Sequence, residues 1–294
     1  MIHAMRASRA AKPRFRSASV SDFRGRVAVV TGAASGIGRA LAYQLAAEGA
    51  LLALSDVDDE GLTATVTQVR SLGAAVRSDQ LDVVDRAAVL AYADAIAEQF
   101  GAVHLVINNA GVLHVGAVSD MQLSEVERVL DVNFWGVVNG TMAFLPHLIA
   151  SGQGHLVNMS SLFGLVPIPT QSAYVASKYA VRGFTESLNI EMRVAGHPVR
   201  VTCVHPGGVK TAIAVSATRN ARPHASRAPQ RFGRQVPRMP ADKAAAVILR
   251  GVAQGRPRVL VGTDAWAVHL LSSLSNRGWQ ALVASGYRHF SVRR

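Results

Sequence analysis

The run Arg26 to Thr31 (RVAVVT) passes directly into Gly32-Ala33-Ala34-Ser35-Gly36-Ile37-Gly38, and that turn passes into the helical pattern RALAYQLAAEGA. Few features constrain a fold as tightly as a strand, a glycine turn and a helix in immediate succession. The backbone must reverse tightly and come close to an anion, which glycine permits, and the following helix presents free N–H groups and the positive end of its dipole. The order predicts the first βα unit of a parallel sheet. A pyrophosphate site is expected at the turn, contacted by Gly32, Ser35, Gly36, Ile37 and Gly38. The spacing, Gly-x-x-x-Gly-x-Gly, differs from the more frequent Gly-x-Gly-x-x-Gly.

A second strand, ALLALS, ends at Asp56, eighteen residues after Gly38. That is close to the ~20 residues separating a glycine turn from the acid that bonds the adenosine ribose of a dinucleotide. A carboxylate there repels a 2′-phosphate. No Arg or Lys stands between Gly32 and Gly38, and Val57 follows Asp56. Both absences favour NAD over NADP. The competing role for Asp56 is to cap the helical run that begins at Asp58.

Ser161, Tyr174 and Lys178 lie in NMSSLFGLVPIPTQSAYVASKYAV. Tyr174 and Lys178 are at i and i+4, so on a helix they share a face. Tyrosine titrates near pH ~10, and a fixed ammonium beside the phenol lowers that value toward a usable acid/base. Ser161 sits upstream across a loop containing Gly164, Pro167 and Pro169, where its hydroxyl would hold a substrate oxygen. Taken alone, Tyr-x-x-x-Lys also arises by chance in amphipathic helices, with the lysine solvated and the tyrosine packed.

Together these segments resemble the short-chain dehydrogenase/reductase family, in its compact single-domain branch, over about residues 24 to 262. Stretches such as ALSDVD, DVNFWGVVNG and VTCVHPGGVKT look like those of actinobacterial short-chain alcohol dehydrogenases. Thr31-Gly32 through Gly38 matches the family's Thr-Gly-x-x-x-Gly-x-Gly, and Asn108-Asn109-Ala110-Gly111 matches its Asn-Asn-Ala-Gly element. Asp82-Val83 matches the adenine-side acid, Asn133 the active-site asparagine, and Pro206-Gly207 with Val209 and Thr211 the segment that meets the nicotinamide carboxamide. The resemblance implies an oxidoreductase that interconverts an alcohol and a carbonyl with a nicotinamide cofactor. It further implies four roles. Tyr174 takes the alcohol proton, Lys178 lowers the tyrosine pKa and holds the nicotinamide ribose, Ser161 orients the substrate oxygen, and Asn133 supports a water linking Lys178 to solvent. His104 stands where the family often has Asp, which implies a changed local hydrogen bond.

Alternating strand and helix patterns predict a single-domain, Rossmann-like α/β fold over residues 25–262, a doubly wound parallel seven-stranded sheet with helices on both faces. Strands are expected near 26–31, 51–55, 75–79, 103–107, 154–159, 199–205 and 258–261. Helices are expected near 37–48, 59–72, 85–99, 122–150, 173–195 and 241–253. A net charge of +12 over 294 residues would by itself admit a nucleic-acid partner. Its location argues otherwise. Residues 27–209 carry nine basic and sixteen acidic side chains, against seven and one in residues 1–26 and eleven and one in 210–258. No nucleic-acid-binding motif accompanies the basic segments, and no nucleic acid is expected.

Residues 1–24 read as a basic, disordered arm or the product of an upstream start codon, with a mitochondrial presequence as the alternative. The ten histidines show no metal-ligand spacing, and no metal is assigned. Cys203, the single cysteine, sits in a β-branched strand and fits a reducing compartment, so the expected setting is cytoplasmic. No stretch reaches the ~18 apolar residues of a membrane span.

Substrate choice is expected in the loops after the fourth, fifth and sixth strands. Leu162, Phe163, Leu165, Val166 and Ile168 predict an apolar wall, with Ser161, Phe163 and Tyr174 contacting the substrate. A lipophilic alcohol, long-chain or polycyclic, follows from that wall. Residues 213–240, rich in Arg and Pro, read as a lid whose arginines either meet an acidic head group or are solvated. In the tail, 263–294, Trp266, Leu270, Leu271 and Leu274 share one helical face. That face packs on a sister subunit of a homodimer or homotetramer, or lies on a membrane surface with Arg277, Arg288, Arg293 and Arg294 near anionic lipid. Two other functions stay open: an NADPH-dependent carbonyl or 3-oxoacyl reductase, and a catalytically silent NAD-binding scaffold or sensor.

Overall fold

Strands β1 Val27–Thr31, β2 Leu51–Asp56, β3 Val76–Gln80 and β4 Leu105–Asn108 precede a short β5 His114–Val115. They are followed by β6 Gly154–Met159, β7 Val199–Pro206, a short β8 Thr218–Arg219 and β9 Arg258–Val261. The structure, a computed structural model, describes residues 23–211, 213, 218–219, 239–274 and 276–292. Seven strands form one sheet in the order β3-β2-β1-β4-β6-β7-β9, every pairing parallel, and β5 pairs with β8 separately.

A parallel order needs a crossover between strands, and helices supply it. They are α1 Gly36–Ala47, α2 Asp59–Ser71, α3 Arg86–Phe100, α4 Leu123–Leu130, α5 Gly136–Ala150, α6 Ser172–Ala195 and α7 Ala241–Ala253. Helices on both faces explain why every residue of β1, β4 and β6 is buried rather than alternating. On one face Leu41, Leu45 and Ile248 pack against Val30, Leu52 and Leu54. On the other, Ile96, Phe144 and Leu148 pack against Val106 and Leu156. The edge strand β3 is polar instead, and Arg77 pairs with Asp79 at 2.8 Å, which discourages a further strand from adding there.

All seven predicted strands are present within two residues of expectation. One predicted helix is divided. A π-helical turn, Asp131–Trp135, separates α4 from α5 inside the segment read as 122–150, and Asn133 sits at its centre. Such turns re-aim a side chain out of the helical ladder. The predicted N-terminal arm lies outside the described residues except at its end, where Phe23 is 2% exposed and packs in the core. Most of the predicted lid, 213–240, also lies outside them. Past β9 the chain forms α8 Thr263–Leu274 and α9 Asn276–Val292. No helix among the described residues is long and apolar enough to cross a membrane.

Two sequence singularities find plain roles. His104 Nδ1 accepts the Val27 N–H at 3.1 Å, tying β1 to the residue before β4 at the end of the sheet remote from the glycine turn. Cys203 is buried in β7, and burial pushes its thiol up to about 12, which leaves it inert.

Candidate active site

The strand order reverses between β1 and β4, and in doubly wound sheets the crevice outside the carboxyl ends of such strands takes the ligand. A cavity of about 610 Å³ opens there. Every sequence-predicted site residue lines it except Gly38, Asn133 and Phe163.

Gly32 adopts φ +67°, and a Cβ on it would stand 2.8 Å from the Ala110 Cα. Only glycine fits. At Gly38 a Cβ would stand 2.1 Å from the Gly32 carbonyl oxygen, so this residue closes the turn onto the helix and does not face the cavity. Ser35 occupies the N-cap of α1 without bonding its first turn, which leaves those N–H groups for an anion. Asn109 rivets the two loops together. Its Nδ2 donates to the carbonyls of Thr31 and Gly32 at 3.0 and 3.1 Å, while its N–H and that of Ala110 donate to Thr31 Oγ1.

Asp58, not Asp56, caps α2, accepting the Gly61 N–H at 3.0 Å. Asp56 is thereby released from the competing role. Its Oδ2 accepts the Ala34 N–H at 2.8 Å and its Oδ1 the Asp58 N–H at 3.1 Å, which aims the carboxylate at the cavity edge. Arg39, overlooked in the sequence, donates from Nε to Thr65 Oγ1 at 3.0 Å and from Nη2 to the carbonyls of Gly61 and Ala34. It fastens the glycine turn to α2. A cation in the first turn of a helix opposes the dipole, and that is the signal that could have marked it as needing partners.

Ser161, two residues past β6, lines the cavity with Tyr174, whose phenol its hydroxyl helps to ionise. Lys178 is held at both ends: its Nζ donates to the Met159 carbonyl at 2.9 Å, and its own carbonyl accepts from Ser160 Oγ at 2.8 Å. The Nζ stands 5.7 Å from the Tyr174 ring centroid. The electrostatics differ from expectation. Burial pushes the Tyr174 phenol above its ordinary range, with the Ser161 bond opposing, and burial pulls the Lys178 ammonium down to about 8. The i, i+4 argument treats the lysine as a full solvated charge, whereas removal from water penalises both charged forms and outweighs their attraction. Burial thus disfavours the ionised form of each group.

Asn133 does not reach the cavity. Its side chain accepts the Val112 N–H at 2.8 Å and donates to the Val112 carbonyl at 2.9 Å and to Ser177 Oγ at 3.1 Å. Ser177 in turn donates to the Tyr174 carbonyl at 2.7 Å. The asparagine side chain is thus tied through Ser177 to the backbone of Tyr174. His205 also escaped the sequence reading: its Nδ1–H donates to the Ser161 carbonyl at 2.9 Å from a fully buried position in β7. A histidine in a strand that the β-branched pattern marks as buried was the available signal.

The expected apolar wall is displaced. Leu162, Leu165 and Val166 turn away from the cavity and are buried with Leu260 and Ala265, because the tail gives that loop an apolar partner. Val112, Val132, Met159, Val209 and Ile213 supply the apolar lining instead. Phe163 reaches the site only by packing edge-on against Tyr174, with ring centroids 6.5 Å apart.

The family model described as short chain dehydrogenase matches residues 26–222. The Mycobacterium tuberculosis protein named "Putative oxidoreductase SadH" is 55% identical over 271 residues, covering 92% of this chain and 98% of that protein. The 3-alpha-(or 20-beta)-hydroxysteroid dehydrogenase of the same organism is 38% identical over 187 residues, covering 64% of this chain and 70% of its own. A crystal structure of a short chain dehydrogenase/reductase from Burkholderia phymatum in complex with NAD has a TM-score of 0.80 at 35% identity, covering 86% of this chain and 94% of that one.

Proposed function

We propose that this chain, which belongs to the short chain dehydrogenase family, is an NAD-dependent oxidoreductase that interconverts an alcohol and a carbonyl. The observation that carries the reading is the convergence of Ser161, Tyr174 and Lys178 on the cavity that also holds the glycine turn and Asp56. The free first-turn amides of α1 and the close approach permitted at Gly32 fit a pyrophosphate, and Asp56 fits the adenosine ribose. Bound NAD would exchange a hydride with the carbinol carbon. The protein handles the proton. Ser161 bonds the substrate oxygen, Tyr174 takes or returns its proton, Lys178 holds the nicotinamide ribose and exchanges a proton near pH 8, and Asn133 with Ser177 keeps Tyr174 in place.

The apolar lining supports a lipophilic alcohol, and the name of the hydroxysteroid dehydrogenase relative supports a polycyclic one. NADH absorbance followed across alcohols of graded length and ring count should show kcat/KM rising with apolar size. Turnover confined to small polar sugars would refute the substrate class. Asp56→Ala should weaken NADH binding about tenfold and narrow the preference over NADPH. Dissociation constants measure both effects, and tighter NADPH binding by the unsubstituted chain would favour the reductase alternative.

An oligomer fits the surface. Trp135 and Met142 form an exposed apolar stripe continuing into α5, and Tyr179, Ile190 and Val194 form one along α6. Static light scattering is expected to give a homodimer or homotetramer, with the Met142→Glu, Ile190→Glu double variant monomeric. A monomeric parent would refute it. The buried thiol of Cys203 supports a cytoplasmic setting.

A further inference from the structure

The tail touches both loops that frame the substrate side of the cavity. Asp264, in the first turn of α8, accepts the Gly208 N–H at 2.6 Å and so holds the turn after β7. Further along, Trp279 Nε1–H donates to the Pro167 carbonyl at 3.2 Å, and the Tyr287 hydroxyl donates to Thr170 Oγ1 at 3.3 Å. Both acceptors lie in the loop after β6. Thr170 is, among the described residues, the one non-glycine with positive φ, at +65°. Such a conformation persists where the surroundings hold it. The Thr170 carbonyl also accepts the Gly116 N–H at 2.9 Å, joining the segment after β5 to the same node.

The apolar contacts run the same way. Leu162, Leu165 and Val166 are buried with Ala265, and Phe163 and Trp279 pack against that cluster. Phe163 is the link to chemistry, since its ring meets Tyr174 edge-on.

We propose that α8 and α9 form a clasp that fixes the loop bearing Phe163 and thereby selects rigid, ring-containing alcohols over flexible linear ones at Tyr174. The proposal rests on the alcohol/carbonyl reading above. Trp279 and Tyr287 are not among the residues lining the cavity and are positioning residues. A loop held at three points presents one shape to a rigid ring system, while a linear chain adapts to whatever shape it meets.

The test uses the full-length chain and the Trp279→Phe, Tyr287→Phe double variant, which keeps an aromatic ring at each position and removes both hydrogen bonds. With NAD, KM for a steroid alcohol should rise about tenfold with kcat within about twofold, while KM for a linear alkanol and the NADH dissociation constant hardly move. An equal loss on both alcohols, or no change on either, overturns the clasp. Amide hydrogen exchange of the same proteins separates this from failure of the activity itself. Gly164, Leu165 and Val166 should exchange about tenfold faster in the variant with the rest of the sheet unchanged. If the parent turns over no alcohol, the activity reading falls, and exchange then decides the clasp alone: faster exchange confined to this loop upholds it, and unchanged exchange overturns it.

Discussion

Tyr174→Phe is expected to lower kcat for alcohol oxidation by about 10²–10⁴-fold while NADH binds as before. The ring of Tyr174 is packed edge-on against Phe163. Phenylalanine keeps the packing and deletes only the proton carrier. Asp56, the glycine turn and Lys178 are untouched, so cofactor affinity measured by fluorescence titration should not change. Loss of binding together with turnover would mean that the substitution had collapsed the site. Full turnover in the variant would remove Tyr174 as the acid/base.

Acidification is expected to destabilise the fold by about 3 kcal/mol between pH 6.5 and pH 5, through two buried histidines. Thr202 Oγ1 donates to the Arg256 carbonyl at 2.7 Å, so the 2.8 Å contact with His155 Nε2 has the imidazole as donor. His155 Nδ1 is then a buried acceptor with no partner, as is Nε2 of His205. A second proton on either ring would be buried without an acceptor. Burial accordingly holds His155 at about 3 and His205 at about 4, against an ordinary 6.5. Both values are lowered on folding, so the unfolded chain takes up protons below pH 6.5 that the folded chain refuses. Stability is complete above that pH and falls as pH drops toward 4. The Glu186 carboxyl is held below its ordinary range by the Arg258 and Arg182 guanidiniums, which outweigh the opposing effect of burial, so its own contribution fades only at lower pH. Urea midpoints at pH 6.5 and 5 measure the slope, and His155→Gln should flatten it by about half. An unchanged midpoint would refute the account.

What the sequence made legible was what local chemistry decides. The β-branched runs, the turn from Gly32 to Gly38 and the acid at Asp56 each dictate their structure within a few residues, so strands and cofactor cleft appear where expected. The π turn at Asn133 was not legible, because it depends on bonds to Val112 and Ser177 that form only after folding. The pKa of Tyr174 was misread for a similar reason: spacing shows that Lys178 is near and says nothing of how dry the pair is. Leu162, Leu165 and Val166 were correctly marked as apolar and wrongly aimed, since an apolar loop cannot show whether ligand or tail will cover it. Trp279 and Tyr287 lie in an amphipathic pattern whose partner was invisible.

Transfer of deuterium tests the central claim most directly. A panel of secondary alcohols, linear and polycyclic, each deuterated at the carbinol carbon, is mixed with the full-length protein and NAD, and the reduced cofactor is weighed by mass spectrometry. Direct hydride transfer predicts one deuterium on the nicotinamide ring, and none in the Tyr174→Phe variant over the same interval. Reduced cofactor without deuterium, or no reduced cofactor from any alcohol, would contradict it.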